Sequence, residues 1–118
     1  MKETGKINYI ELPAGDLAAT KQFFSTAFGW SFVAYGPEYM AIENAGLDGG
    51  FYLSDKVATT ANGCALVVLY SAELEETLSR VQTAGGAIVK EIFSFPGGQR
   101  FHFADPNGNE FAVWSEVA

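Results

Sequence analysis

The stretches "GDLAATKQFFSTAFGW" (residues 15–30) and "AELEETLSRVQTAGGA" (residues 72–87) carry one pattern twice. Each opens on an acidic residue and a leucine, runs through a helical segment, and closes on Thr-Ala followed by glycine. The spacing is constant: Glu73 minus Asp16, Thr83 minus Thr26 and Gly86 minus Gly29 all equal 57. Apolar residues recur at helical intervals in both, as Leu17, Phe24 and Phe28 and as Leu74, Leu78 and Val81. Asp16 is placed to cap the first helix, and the glycines to end both in the left-handed conformation.

Outside the helices the repeat continues. A strand candidate precedes each helix, "KINYIEL" (6–12) and "CALVVLY" (64–70), and three more follow each. Among these, "YMAIENAGLDGGFYL" (39–53) parallels "FHFADPNGNEFAVW" (101–114), with Gly46 matching Gly108 at an offset of 62. Asp105 to Gly108 reads as a hairpin turn, because Pro presets φ and Asn-Gly accepts the positive φ that follows. The expected fold is α+β: two tandem β-α-β-β-β modules, about 5–54 and about 62–116, within a single domain spanning 1–118. Each module supplies a four-stranded sheet.

Composition narrows the partners. The chain has 118 residues, is 48% hydrophobic and carries a formal net charge of −7. Seven basic residues are scattered without a cluster, so neither nucleic acid nor an anionic membrane is an expected partner. The single cysteine, Cys64, excludes an internal disulfide and suits a reducing compartment. It has no nearby His or helix N-terminus to activate it as a nucleophile. No charged-then-apolar leader and no long apolar run is present, so a cytoplasmic protein is expected.

Period-two alternation divides the strand residues into two faces. Ile10, Leu12, Phe51, Leu53, Phe101, Phe103, Phe111 and Val113 form the side expected to pack under the helices. The other side collects Tyr9, Glu11, Gly50, Tyr52, Leu66, Val68, Arg100, His102, Ala112 and Trp114. Aromatic and polar residues mixed on one sheet face suit the lining of a small-molecule cleft.

With these residues in place, "ADPNGNEFAVW" and "DLAATKQFFSTAFGW" resemble the closing hairpin and first-module helix of the vicinal oxygen chelate superfamily, which includes glyoxalases, bleomycin-resistance proteins and extradiol dioxygenases. The resemblance covers nearly the whole chain. It implies a glyoxalase-like curved sheet around a cleft, often completed in a homodimer. Metallated relatives hold a divalent cation through His and Glu side chains on the first and fourth strands of each module. Carried onto this sequence, those positions are Tyr9, Gly50, Leu66 and Ala112. Shifting the register by one residue gives Ile10, Phe51, Val67 and Val113 or Phe111, which are no better as ligands. No metal and no cofactor are therefore expected.

The candidate ligand-binding residues are Tyr9, Glu11, Tyr52, Arg100, His102 and Trp114. His102 offers an imidazole with an ordinary pKa of about 6.5, fit for hydrogen bonding or for acid–base work. Arg100 suits a ligand carboxylate or phosphate, or an ion pair with Glu11. Glu11 is a second candidate acid–base group. Tyr9, Tyr52 and Trp114 offer flat walls. Three functions compete. The first is a metal-independent small-molecule binding protein; the second is a glyoxalase-type lyase or related enzyme using His102 or Glu11; the third is a protein-interaction module.

Overall fold

The computed structural model describes residues 2–116. The chain forms two compact units, the first running to Lys56 and the second beginning at Val57. In the first, β1 (Tyr9–Ala14), α1 (Leu17–Phe28), β2 (Ser31–Ala34), β3 (Tyr39–Glu43) and β4 (Asp48–Leu53) follow in order. The second repeats the series as β5 (Val67–Tyr70), α2 (Leu74–Ala84), β6 (Ala87–Phe95), β7 (Gly98–Ala104) and β8 (Glu110–Glu116). The sheet orders are β1-β4-β3-β2 and β5-β8-β7-β6, with the outer β1–β4 and β5–β8 pairs parallel and the rest antiparallel. The two units therefore share a topology as well as a sequence pattern, and the fold is α+β with two tandem β-α-β-β-β modules. Among the described residues no helix is long and apolar enough to cross a membrane.

Local chemistry sets the helix ends. The Asp16 carboxylate accepts from the Ala19 N–H at 3.0 Å, satisfying one of the unpaired first-turn donors. Gly29 at φ 72° closes α1 and donates to Ser25, while the next N–H, of Trp30, reaches back to the Phe24 carbonyl. The Trp30 ring then stacks on Phe24 at 4.5 Å. In α2 the closing left-handed residue is Gly85, at φ 107°, one position before the Gly86 that strict repetition indicates. Glu73 at the start of α2 makes no side-chain cap, so the acidic-Leu opening is shared in sequence but not in hydrogen bonding.

Each helix covers one face of its own sheet. Phe24 stacks against Phe51 in the first unit, and Phe101, Phe103, Phe111 and Val113 are fully buried in the second. Leu53 departs from the alternation reading: it is 48% exposed, because it is the last residue of β4. Pairing register fixes equivalent points in the two sheets. Gly50 opposes Ala41 and Tyr52 opposes Tyr39 in the first; Ala112 opposes His102 and Trp114 opposes Arg100 in the second.

Candidate functional site

In each unit the polar and aromatic candidates lie on the sheet face that the helix leaves uncovered. The two faces are built differently.

On the first, Tyr9 and Glu11 stand on β1 and Tyr52 on β4, and a residue missing from the sequence-based set joins two of them. The Tyr39 hydroxyl on β3 donates to Glu11 Oε2 at 3.0 Å and lies 2.6 Å from the Tyr9 hydroxyl. Because the Tyr39 proton goes to Glu11, Tyr9 is the donor in the second bond. Desolvation, then these two bonds and the Glu11 charge, push the Tyr39 hydroxyl well above the usual phenol range. Tyr52 sits beside Tyr39 in register and is partly exposed.

The same phenol decides what Gly50 does. A Cβ built at Gly50 would overlap the Tyr39 hydroxyl and ring, so the space a side chain would fill at this position belongs to Tyr39. Gly50→Ala should therefore destabilise the first unit by about 1 to 3 kcal/mol through overpacking. Adding Tyr39→Ala should recover part of that loss, and a double-mutant cycle in urea measures the coupling. Additive losses would show that Tyr39 does not set the requirement for glycine.

On the second face, Arg100 and His102 are neighbours on β7, two residues apart and therefore on one side of the strand. His102 is 2% exposed. Its Nδ1 lies 2.7 Å from Glu110 Oε2 on β8. Its Nε2 receives Arg100 Nε at 3.2 Å and lies 3.0 Å from Arg100 Nη2. Glu110 also accepts from the Thr60 N–H at 2.9 Å and the Thr60 hydroxyl at 2.8 Å, both on Oε1. Burial alone would raise the Glu110 carboxyl, but the bonds from His102 and from the Thr60 backbone and hydroxyl outweigh it and hold it at about 2. The ionised carboxylate takes a proton-bearing Nδ1, which leaves the Nε2 lone pair to Arg100. The result is a continuous relay, Thr60 to Glu110 to His102 to Arg100.

Aromatic rings surround the guanidinium. Its Cζ lies 5.6 Å from the Phe93 centroid and 5.8 Å from that of Phe95, within cation–π range. Trp114, opposite Arg100 in register, packs edge-on against Tyr70 at 5.2 Å and Phe95 at 6.4 Å. The sequence reading thus named Arg100, His102 and Trp114 on this face and omitted Glu110, Thr60, Phe93 and Phe95. Glu110 was within reach of period two, because it lies two residues before Ala112 on the same face. Thr60 was not, because it belongs to a segment outside any strand. Glu11 accepts its hydrogen bond from Tyr39, and Arg100 donates its own to His102.

Residues 6–113 match the family model described as Glyoxalase/Bleomycin resistance protein/Dioxygenase superfamily. The anthracycline biosynthesis protein DauV of Streptomyces sp. (strain C5) is 27% identical over 90% of the chain, which spans only 45% of that relative's length. Among solved structures, a glyoxalase-related enzyme from Fulvimarina pelagi aligns with TM-score 0.79 at 21% identity, over 95% of this chain and 88% of the other. TnmS3, an antibiotic binding protein from Streptomyces sp. CB03234, aligns with TM-score 0.71 at 17% identity, over 99% of this chain and all of the other (100%).

Proposed function

The chain belongs to the Glyoxalase/Bleomycin resistance protein/Dioxygenase superfamily, and within it we propose a metal-independent protein that binds a small, largely aromatic molecule. The observation that carries this reading is the chemistry at the four positions where metallated relatives place ligands. Tyr9 donates its proton to Tyr39, and the space at Gly50 is filled by the Tyr39 phenol. Leu66 and Ala112 have no donor atom to offer. These residues do not fit a divalent cation, which needs several N, O or S ligands converging at about 2.0 to 2.6 Å. Among the described residues no group of three or more His, Cys, Asp or Glu is placed to hold a metal.

Binding is favoured over acid–base catalysis by the state of the two candidate groups. A base at His102 needs a free Nε2, and Arg100 covers it. Glu11 is already the acceptor of the Tyr39 proton. A fold shared with TnmS3, a protein described as antibiotic binding, agrees with the reading.

Thermal-shift screening of metabolites and aromatic antibiotics tests it, run with and without chelator and paired with elemental analysis. Hits should stabilise the protein equally in both conditions, without stoichiometric metal. Trp114→Ala should then weaken a hit by roughly 1 to 3 kcal/mol through lost apolar contact. Stoichiometric tightly bound Zn, Ni, Fe, Mn or Mg would sink the metal-independent reading, and a hit indifferent to Trp114→Ala would place binding elsewhere.

A further inference from the structure

The relay on the second face has a feature that general small-molecule binding does not require. We propose that Arg100, held in place by His102 and Glu110, recognises an ionised oxygen on a flat aromatic ligand, a carboxylate or phenolate lying against Phe93, Phe95 and Trp114. This rests on the binding reading above and adds the charge of the ligand to it.

Three observations carry it. The first is a guanidinium with no carboxylate in direct contact. Among the described residues neither Arg100 nor Lys90 belongs to an ion pair. The Lys90 ammonium lies 5.9 Å from the centroid of the same Phe93 ring that Arg100 approaches at 5.6 Å. The Glu110 carboxylate is occupied by His102 and Thr60, and the Glu116 carboxylate accepts the Tyr70 hydroxyl at 3.1 Å. Two cations and two carboxylates thus share this face, and each carboxylate is engaged by a group other than Arg100 or Lys90.

The second is preorganisation. The guanidinium is steered by a buried imidazole, itself fixed by a buried carboxylate, so little side-chain freedom is lost when a ligand arrives. Only Nε and Nη2 point at His102, and the guanidinium has five N–H donors in all. The remaining donors form a planar edge that matches a carboxylate.

The third is the ring arrangement. Phe93 and Phe95 hold the guanidinium at cation–π distance, and Trp114 stands across from it in register. An aromatic ligand bearing its charge at one end would place the ring on these side chains and the oxygen at Arg100. His102 and Glu110 are positioning residues in this scheme, because their hydrogen bonds run to Arg100 and to each other.

Calorimetric titration with anthraquinone-2-carboxylate and with its methyl ester separates charge from ring. Wild type should bind the acid at least fivefold more tightly than the ester. Arg100→Gln should bring that ratio close to one. Glu110→Gln puts an amide N–H opposite Nδ1, so the imidazole must turn its N–H toward Arg100. That variant should lose the acid preference too, a result that a purely structural Glu110 would not give. A wild-type ratio below fivefold, or one that survives Arg100→Gln, overturns the proposal. A ratio retained in folded Glu110→Gln removes the relay from it, and Arg100→Gln decides the rest if Glu110→Gln does not fold. Equal binding of acid and ester sinks the charge inference and leaves the binding reading standing. Binding of neither compound sinks the charge inference, while the wider ligand screen decides the binding reading separately.

Discussion

Glu110→Ala should lower the stability of the second unit by about 1 to 3 kcal/mol, the range expected when a buried donor loses its acceptor. The substitution strands the buried His102 Nδ1–H, and it also removes the acceptor for the N–H and hydroxyl of the exposed Thr60. Urea denaturation monitored by tryptophan fluorescence measures the loss. A cost under about 1 kcal/mol would mean that the network is held by the fold and does not hold it.

The pH dependence has a definite sign. Folding lowers the Glu110 carboxyl from 4.5 to about 2, so its stabilisation is fully present above the unfolded value. It fades as pH falls from about 4.5 toward about 2. Asp105, which burial pushes upward despite its hydrogen bonds, contributes with the opposite sign. That contribution is common to wild type and Glu110→Gln, so the difference between the two proteins across this acid window isolates Glu110. Parallel curves there would contradict the assignment.

Phe101→Ala should cost about 3 to 5 kcal/mol, the range for emptying a buried phenylalanine site. Its neighbour Arg100→Gln, on the other side of the same strand, should cost less than about 1 kcal/mol. Phe101 is fully buried on the face that α2 covers, whereas Arg100 projects onto the uncovered face. Adjacent residues with effects this different would show that the apolar packing under α2, and not Arg100, carries the fold at this point of β7. Similar losses at both would show that the faces are not separable. Chemical denaturation of both variants at matched pH provides the comparison.

The same division explains what could be read in advance. The repeat at offset 57 located both helices, because hydrophobic spacing and acidic and glycine punctuation are local signals. Alternation placed Phe101, Phe103, Phe111 and Val113 correctly, since long paired strands enforce period two. It failed at Leu53, where the strand ends. The choice of Gly85 over Gly86 turned on where the last helical turn closes, which a repeat offset does not resolve. Tyr39 and Thr60 were harder still. Each acquires its role from a partner 28 or 50 residues away, Glu11 for Tyr39 and Glu110 for Thr60. No local pattern announces such a pairing.

The matched registers of the two sheets also bear on what the repetition is worth to the protein. At corresponding points the first sheet has Tyr39, Ala41, Gly50 and Tyr52 where the second has Arg100, His102, Ala112 and Trp114. One half therefore offers phenols and an exposed carboxylate, the other a guanidinium, an imidazole and an indole. The copies agree in backbone and disagree in nearly every group a ligand could touch. Neither half holds a spare for the other, so damage to one set of contacts has no backup in its twin. Each face is also free to drift toward a new ligand without asking the same of its counterpart.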